Sequence, residues 1–183
     1  NVTEGKEICY SVSFNGTRLL ISSPISMSMA DGSVYGGAVK ANNASVKAVK
    51  NAIKAVAYKK AEVKDNYNEL SLQYTSFELK FRAYDEGIAY RFVSKANKPF
   101  IIRSEQATFS FPEDWMAYIP YSNGDTTSIA KQYLNSFENY YKHIALSEIN
   151  PNRLVFLPIV VEAPEGVKIC ITESDLLNYP GMF

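Results

Sequence analysis

Alternation of apolar and polar residues at every second position dominates this chain and predicts β-strands. Residues 8–14, Ile-Cys-Tyr-Ser-Val-Ser-Phe, follow this alternation, and the apolar residues 19–21 begin a second such run. Asn15-Gly16 lies between the two runs, which is the strongest short-range signal for a β-hairpin. Further strand-like runs lie at residues 25–29, 67–74, 77–84, 88–93, 100–103, 107–111, 115–119, 154–161 and 167–171.

About ten short strands, with turns at intervals of roughly 8–12 residues, are typical of an antiparallel sandwich or barrel. Ser23-Pro24 is expected to interrupt the second strand, because proline cannot donate a backbone hydrogen bond. No repeat, low-complexity tract or linker divides the sequence. The simplest organisation is therefore one all-β domain over residues 1–183.

Two regions depart from the alternating pattern. In residues 38–66, alanine and lysine favour a helix, while β-branched residues at mixed spacing favour extended chain. Because the neighbouring segments are strand-like, we predict long extended arms there. Residues 120–150 are polar and rich in tyrosine, with one possible helix at residues 129–141.

Charge excludes one broad class of function. Lys+Arg and Asp+Glu number 19 each, so the chain has no surplus of positive charge for nucleic-acid phosphates. Lysines do cluster in the first third of the chain, where we expect a solvated face. The members of this cluster are Lys40, Lys47, Lys50, Lys54, Lys59, Lys60 and Lys64. No apolar stretch is long enough to predict a membrane span.

Few residues carry chemistry in this sequence. Cys9 and Cys170 fall in predicted strands, where a disulfide and two free thiols remain equally open. His143 is the only histidine, and no serine elbow or cysteine lies near it in sequence, which argues against a catalytic role. No spacing of cysteine and histidine indicates zinc.

The carboxyl end of the chain carries the most informative pattern. The apolar run 167–171 leads directly into Glu173 and Asp175, and Pro180-Gly181 follows soon after. The end of a strand is a rigid place from which a carboxylate can face a ligand. The alternative is a helix start, with Thr172 as N-cap and the two acidic residues in the first turn.

Four stretches, residues 65–70, 81–92, 157–166 and 172–182, together resemble the N-terminal domain of glycoside hydrolase family 97. The second stretch, Phe-Arg-Ala-Tyr-Asp-Glu-Gly-Ile-Ala-Tyr-Arg-Phe, and the last, which contains Thr-Glu-Ser-Asp-Leu and Tyr-Pro-Gly-Met, are the specific ones. The resemblance is poorest at residues 40–62 and 115–150.

The resemblance implies a fold and a parent protein. The fold is an all-β antiparallel β-super-sandwich of about ten or more strands with few or no helices, incomplete at its C-terminal end. The parent is a bacterial, secreted or periplasmic α-glucosidase or α-galactosidase that acts on an oligo- or polysaccharide. Its catalytic (β/α)8 barrel, absent from this sequence, would be the partner of this domain.

The resemblance also implies a metal site. Such enzymes hold calcium in the active site, and the N-terminal domain lends it one glutamate, which the matching motif places at Glu173. Calcium takes six to eight oxygen ligands, so one glutamate cannot form the site alone. The 183-residue chain by itself is therefore expected to bind no cofactor and to be catalytically inactive.

Two further groups of residues have open interpretations. Arg82 and Arg91 either hold a ligand or form a pair on one sheet face, bridged to Glu69 or Glu78, and cross-strand charge pairs favour the second. Six aromatic residues form either a sugar-stacking platform or packing surfaces, of which packing is favoured. These residues are Trp115, Tyr118, Tyr121, Tyr133, Tyr140 and Tyr141. A platform would make the chain a stand-alone carbohydrate-binding module, the alternative function.

Overall fold

The computed structural model describes residues 1–177 and 179–183. These residues form thirteen β-strands, one short α-helix and two 3-10 turns, at Leu146–Glu148 and Pro164–Gly166. The elements are β1 (Val2–Glu4), β2 (Ile8–Phe14), β3 (Thr17–Met29), β4 (Val34–Tyr35), β5 (Asn43–Lys54), β6 (Glu62–Gln73), β7 (Phe77–Ala83), β8 (Ile88–Ser94), β9 (Ile102–Ala107), β10 (Met116–Ile119), α1 (Ile129–Gln132), β11 (Lys142–Ala145), β12 (Ile159–Glu162) and β13 (Lys168–Ile171).

The strands form three antiparallel sheets. Sheet A has the order β1-β2-β3-β4, with β9 also paired to β3. Sheet B has the order β5-β6-β7-β8, and sheet C the order β11-β10-β12-β13. The predicted fold class, all-β and antiparallel with more than ten strands in a sandwich-like arrangement, is confirmed.

The chain divides into two compact units. The first unit comprises residues 1–11 and 22–109, and the second comprises residues 12–21 and 110–183. That residues 1–183 form one domain stays a prediction.

In the first unit, sheets A and B pack face to face through aromatic rings. The Tyr10 ring of β2 lies 5.9 Å from the Phe81 ring of β7, between centroids, and Tyr35 of β4 stacks on Phe77 of β7 at 4.7 Å. On β7, Phe77, Leu79 and Phe81 are buried while the residues between them are not, as period-2 alternation requires. This packing makes the unit a β-sandwich.

In the second unit, one face of sheet C forms the core. Ala117, Ile119 and Val161 are fully buried there, and Leu19 and Trp115 pack against them. The cross-strand partners Tyr118 and His143 alternate with these core residues and therefore lie on the other face of the sheet.

The predicted long extended arms at residues 38–66 are present as β5 and the first half of β6. The two strands pair over twelve residues each, from Asn43 opposite Gln73 to Lys54 opposite Glu62. Almost every residue of β5 is exposed. The β-branched residues and the pairing with β6 therefore outweigh the helix propensity of alanine and lysine.

Four local predictions are wrong. Residues 108–111, predicted as part of a strand, form none, and of the strand predicted at residues 154–161 only residues 159–161 belong to β12. Pro24 does not interrupt β3. At this position the ladder uses the Pro24 carbonyl, which accepts a hydrogen bond from the Thr108 amide at 3.2 Å, so the amide hydrogen that proline lacks is not required. The helix predicted over residues 129–141 covers only Ile129–Gln132. The side-chain amide of Asn135 donates to the Gln132 carbonyl, and Phe137 has φ +53°, which a helix cannot include.

Candidate functional site

Glu173 lies two residues beyond β13, an edge strand of sheet C. The strand is fixed at this point because Ile171 is buried and pairs with Ile159. The Met182 amide donates to both carboxylate oxygens of Glu173, at 2.8 and 3.0 Å. Within the part of the chain that the structure describes, this one backbone donor sets the orientation of the carboxylate and leaves most of its acceptor positions free.

The segment that follows folds back on Glu173 through tight turns. Asp175 has φ +60°, and the Leu177 amide donates to its carbonyl at 2.8 Å. Residues 172–177 form no helix, so the N-cap interpretation of Thr172 and the first-turn role of Asp175 are wrong. A Cβ atom on Gly181 would lie 3.1 Å from Glu173 Oε1, so glycine permits the close return of the backbone. Asn178 lies outside the described residues.

A cleft of about 480 Å³ opens beside Glu173. Its walls are mostly apolar and come from the 137–158 region and the C-terminal segment. The lining residues are Phe137, Tyr141, Phe156, Leu157, Pro158, Leu176, Gly181, Met182 and Phe183. Leu176, Tyr141 and Phe183 are nevertheless exposed large apolar side chains. The arrangement is a single carboxylate at an apolar, solvent-facing surface.

The Glu173 carboxylate is the type of ligand that calcium binds, but one carboxylate is too few to form a calcium site. A glutamate carboxylate is the hard oxygen ligand that calcium prefers, and it supplies one or two of the six to eight ligands. Among residues 1–177 and 179–183, no group of three or more His, Cys, Asp or Glu residues could hold a metal ion.

A second carboxylate, Glu69, has an entirely different environment. Its side chain is only 1% exposed, on the polar face of sheet B. The Arg82 Nε donates to Oε2 at 2.9 Å, and the Lys47 and Lys80 ammonium groups lie 3.0 and 3.8 Å from Oε1. The Lys47 contact is an ion pair without hydrogen-bond geometry. The guanidinium of Arg82 also lies 4.3 Å from the Tyr67 ring centroid.

These contacts decide the charge state of Glu69. Burial acts to raise the pKa of its carboxyl, but the contacts with Lys47 and Arg82, together with the charge of Lys80, outweigh burial and hold the pKa below its ordinary value. The predicted bridge from Arg82 to Glu69 is therefore present. Arg91 pairs with Lys80 across β7 and β8, which places it on the same face as Arg82.

The six aromatic residues do not form one platform. Trp115 and Tyr121 are buried in the second unit, as packing residues would be. Tyr118 stacks on the imidazole of His143 at 4.5 Å, and Tyr133 packs edge-on against Phe183 at 5.1 Å. Tyr140 is among the exposed large side chains, away from the core.

His143 belongs to a group of hydrogen-bonded side chains around Glu162 on the surface. Its Nε2 lies 2.9 Å from Glu162 Oε2, and Lys168 contacts the other oxygen of the same carboxylate. The hydrogen bonds from Lys168 and His143 hold the pKa of Glu162 below its ordinary value. Cys9 and Cys170 are both free thiols, Cys9 half-buried and Cys170 exposed.

Sequence reasoning missed two residues that shape the Glu173 site. The Met182 amide orients the carboxylate, and the absence of a side chain on Gly181 leaves room for it. Neither residue has a reactive or charged side chain that would mark it as functional in the sequence. The only signal was their place in the Tyr-Pro-Gly-Met stretch nine residues downstream. The burial of Glu69 was also unforeseen, because alternation places it on the polar face of its strand.

Comparison with known proteins decides the family. The model of the glycosyl-hydrolase 97 N-terminal domain matches residues 1–183. The chain belongs to glycoside hydrolase family 97. As a family 97 N-terminal domain, it is 43% identical to a retaining alpha-galactosidase of Bacteroides thetaiotaomicron, a match that covers 100% of this chain and 28% of that protein.

Solved structures agree on the fold of this family 97 domain. The crystal structure of a beta-arabinopyranosidase has a TM-score of 0.77 at 23% identity, over 93% of this chain and 29% of that one. A family 97 enzyme of Pseudoalteromonas sp. strain K8, in complex with acarbose, has a TM-score of 0.79 at 20% identity, over 100% and 28%. The family 97 domain thus spans less than a third of the length of these relatives.

None of the helices among the described residues is long and apolar enough to cross a membrane.

Proposed function

We propose that this family 97 domain is a non-catalytic part of a calcium-dependent α-glycosidase. In this role it packs on a catalytic barrel and contributes Glu173 to the calcium site of the active centre. The observation that carries the proposal is the state of Glu173. Among residues 1–177 and 179–183 it is the one acidic side chain that lines the cleft, it is oriented by the Met182 amide, and these residues leave part of its acceptor capacity unused.

The surroundings of Glu173 support docking of a further domain at the same place. Leu176, Tyr141 and Phe183 expose apolar side chains around the cleft, and clustered exposed apolar surface is typical of an interaction site. A domain seated there would bury these side chains and bring its own oxygen ligands to Glu173.

The residues of this chain have defined tasks in the proposed site. The end of β13 fixes the position of Glu173, the Met182 amide fixes its rotation, and Gly181 leaves room for the turn that carries this amide. Bound calcium would supply a fixed positive charge in the active centre. The similarity to a retaining alpha-galactosidase supports an α-galactoside as the substrate to test first, with an α-glucoside as the second.

The test uses the full-length protein that contains this domain. Hydrolysis of an α-galactoside and an α-glucoside is measured after removal of metal and again after addition of calcium. We expect calcium to restore activity. We expect Glu173→Gln to lower activity at least about tenfold, because mutation of residues that only support a metal ligand already costs about 10- to 100-fold in metal affinity or activity.

The matched control is Glu165→Gln, which makes the same chemical change at an exposed position. We expect this variant to keep the activity of the unmodified protein. Full activity of Glu173→Gln without added calcium would contradict the proposal.

The proposed location, secreted or periplasmic in a bacterium, is tested by fractionation of cells that produce the protein.

A further inference from the structure

The first unit carries a two-stranded ribbon that extends beyond its sheet. Strand β7 pairs with β6 only from Asn68 onwards, whereas β5 follows β6 as far as Glu62. Residues 49–54 and 62–67 are therefore paired only with each other, and residues 55–61 close the end through a hydrogen bond from the Ala55 amide to the Ala61 carbonyl. Six residue pairs at about 3.3 Å each give an extension of about 20 Å. We call residues 49–67 the basic ribbon.

The basic ribbon concentrates positive charge in a chain whose net charge is zero. It contains five lysines and two carboxylates, a net charge of +3, so the remainder of the chain carries −3. The five lysines are Lys50, Lys54, Lys59, Lys60 and Lys64. Unlike Lys47 at the base of the arm, none of them forms an ion pair within the described part of the chain.

The end of the basic ribbon also exposes apolar side chains. Val56 is 93% exposed, Tyr58 is 58% exposed and Ile53 is 51% exposed. The Lys59 ammonium lies 5.9 Å from the Tyr58 ring centroid, so charge and aromatic surface are adjacent. Exposure of an aliphatic side chain to water is unfavourable, and a two-stranded ribbon has no hydrophobic core in which this side chain could be buried.

From this combination we infer that the basic ribbon docks on an anionic lipid surface. Lysines near such a surface are attracted by its negative potential, and tyrosine and aliphatic side chains are favourable at the boundary between headgroups and acyl chains. Val56 and Tyr58 enter that boundary, and Lys59 and Lys60 contact the headgroup phosphates. A soluble polyanion would match the lysines but would offer no apolar phase to Val56.

The test is co-sedimentation of the full-length protein with vesicles of phosphatidylcholine, with and without phosphatidylglycerol. We expect binding to the anionic vesicles only, and weaker binding at high salt because salt screens the lysines. Lys59→Glu with Lys60→Glu should weaken binding at least about tenfold, because the anionic vesicle surface attracts the two lysines and repels the two glutamates. Val56→Ser with Tyr58→Ser should also weaken it.

The matched control is Lys6→Glu with Lys98→Glu, which gives the same change of net charge at exposed lysines outside the ribbon. This control should bind as the unmodified protein does. A second readout is the fluorescence of Val56→Trp, which should shift to shorter wavelength on anionic vesicles because the indole leaves water. Absence of vesicle binding, equal loss in the control, or binding to a sulfated polysaccharide with the same dependence on Val56 would overturn the inference.

Discussion

Glu69 and Glu173 are the same residue type in opposite situations. Glu69 is buried, and three cationic side chains of its own chain lie within 4 Å of its carboxylate. Glu173 is half-buried at a cleft, and among the described residues its oxygens accept hydrogen bonds from one backbone amide. A carboxylate whose charge is neutralised within the domain stabilises that domain. A carboxylate with unused acceptor capacity at an exposed apolar surface is suited to a partner outside it.

The largest expected effect that separates the two glutamates is on stability. Glu69→Gln removes the charge that holds Arg82 and Lys47, and we expect a loss of about 2–3 kcal/mol in the free energy of unfolding. Glu173→Gln keeps an oxygen for the Met182 amide and should change it by less than about 0.5 kcal/mol. Urea unfolding of the 183-residue chain measures both. Equal losses would remove the distinction between the two sites.

At acidic pH the loss of unfolding free energy caused by Glu69→Gln should become smaller. The pKa of Glu69 is lower in the folded protein than in the unfolded chain, so its contribution is complete above the unfolded value of about 4.3 and is lost as the pH falls through the folded value. We expect the unmodified protein and Glu69→Gln to converge in stability as the pH falls below about 4. A gap that stays constant between neutral pH and this range would show that the Glu69 charge does not matter.

A smaller effect is expected at Gly181. In Gly181→Ala the new Cβ atom would lie 3.1 Å from Glu173 Oε1, so either the backbone or the carboxylate must shift by a few tenths of an ångström. We expect calcium affinity in the full-length protein to fall about three- to tenfold, with stability changed by less than about 1 kcal/mol. Gly5→Ala, at a position with open space around it, is the control. Unchanged affinity would mean that Gly181 does not position Glu173.

Prediction from sequence succeeded where period-2 alternation carries the information. The hairpin at Asn15-Gly16 and the class of the fold were readable, and strands such as β7 were readable because they bury every second residue. Pro24 was misread because a partner distant in sequence, the Thr108 amide, bonds to its carbonyl within the ladder. The 129–141 helix was misread because the Asn135 side chain bonds to the Gln132 carbonyl and ends the helix, which propensity alone does not reveal.

The candidate site was only partly readable for the same reason. Glu173 was found through its motif, but the amide that orients it comes from a backbone turn that no side-chain pattern announces. The burial of Glu69 depends on the stems of Lys47, Lys80 and Arg82, which arrive from two other strands. Which residues lie opposite Glu69 depends on the register between neighbouring strands, and this register cannot be inferred from the sequence of one strand.

Calcium titration of the metal-free full-length protein by calorimetry tests the central claim most directly. The account predicts that Glu173→Gln weakens calcium binding at least about tenfold, since one charged ligand is lost, while Glu69→Gln binds calcium as the unmodified protein does. Calcium binding that is unchanged in Glu173→Gln would contradict the assignment of this carboxylate to a metal site.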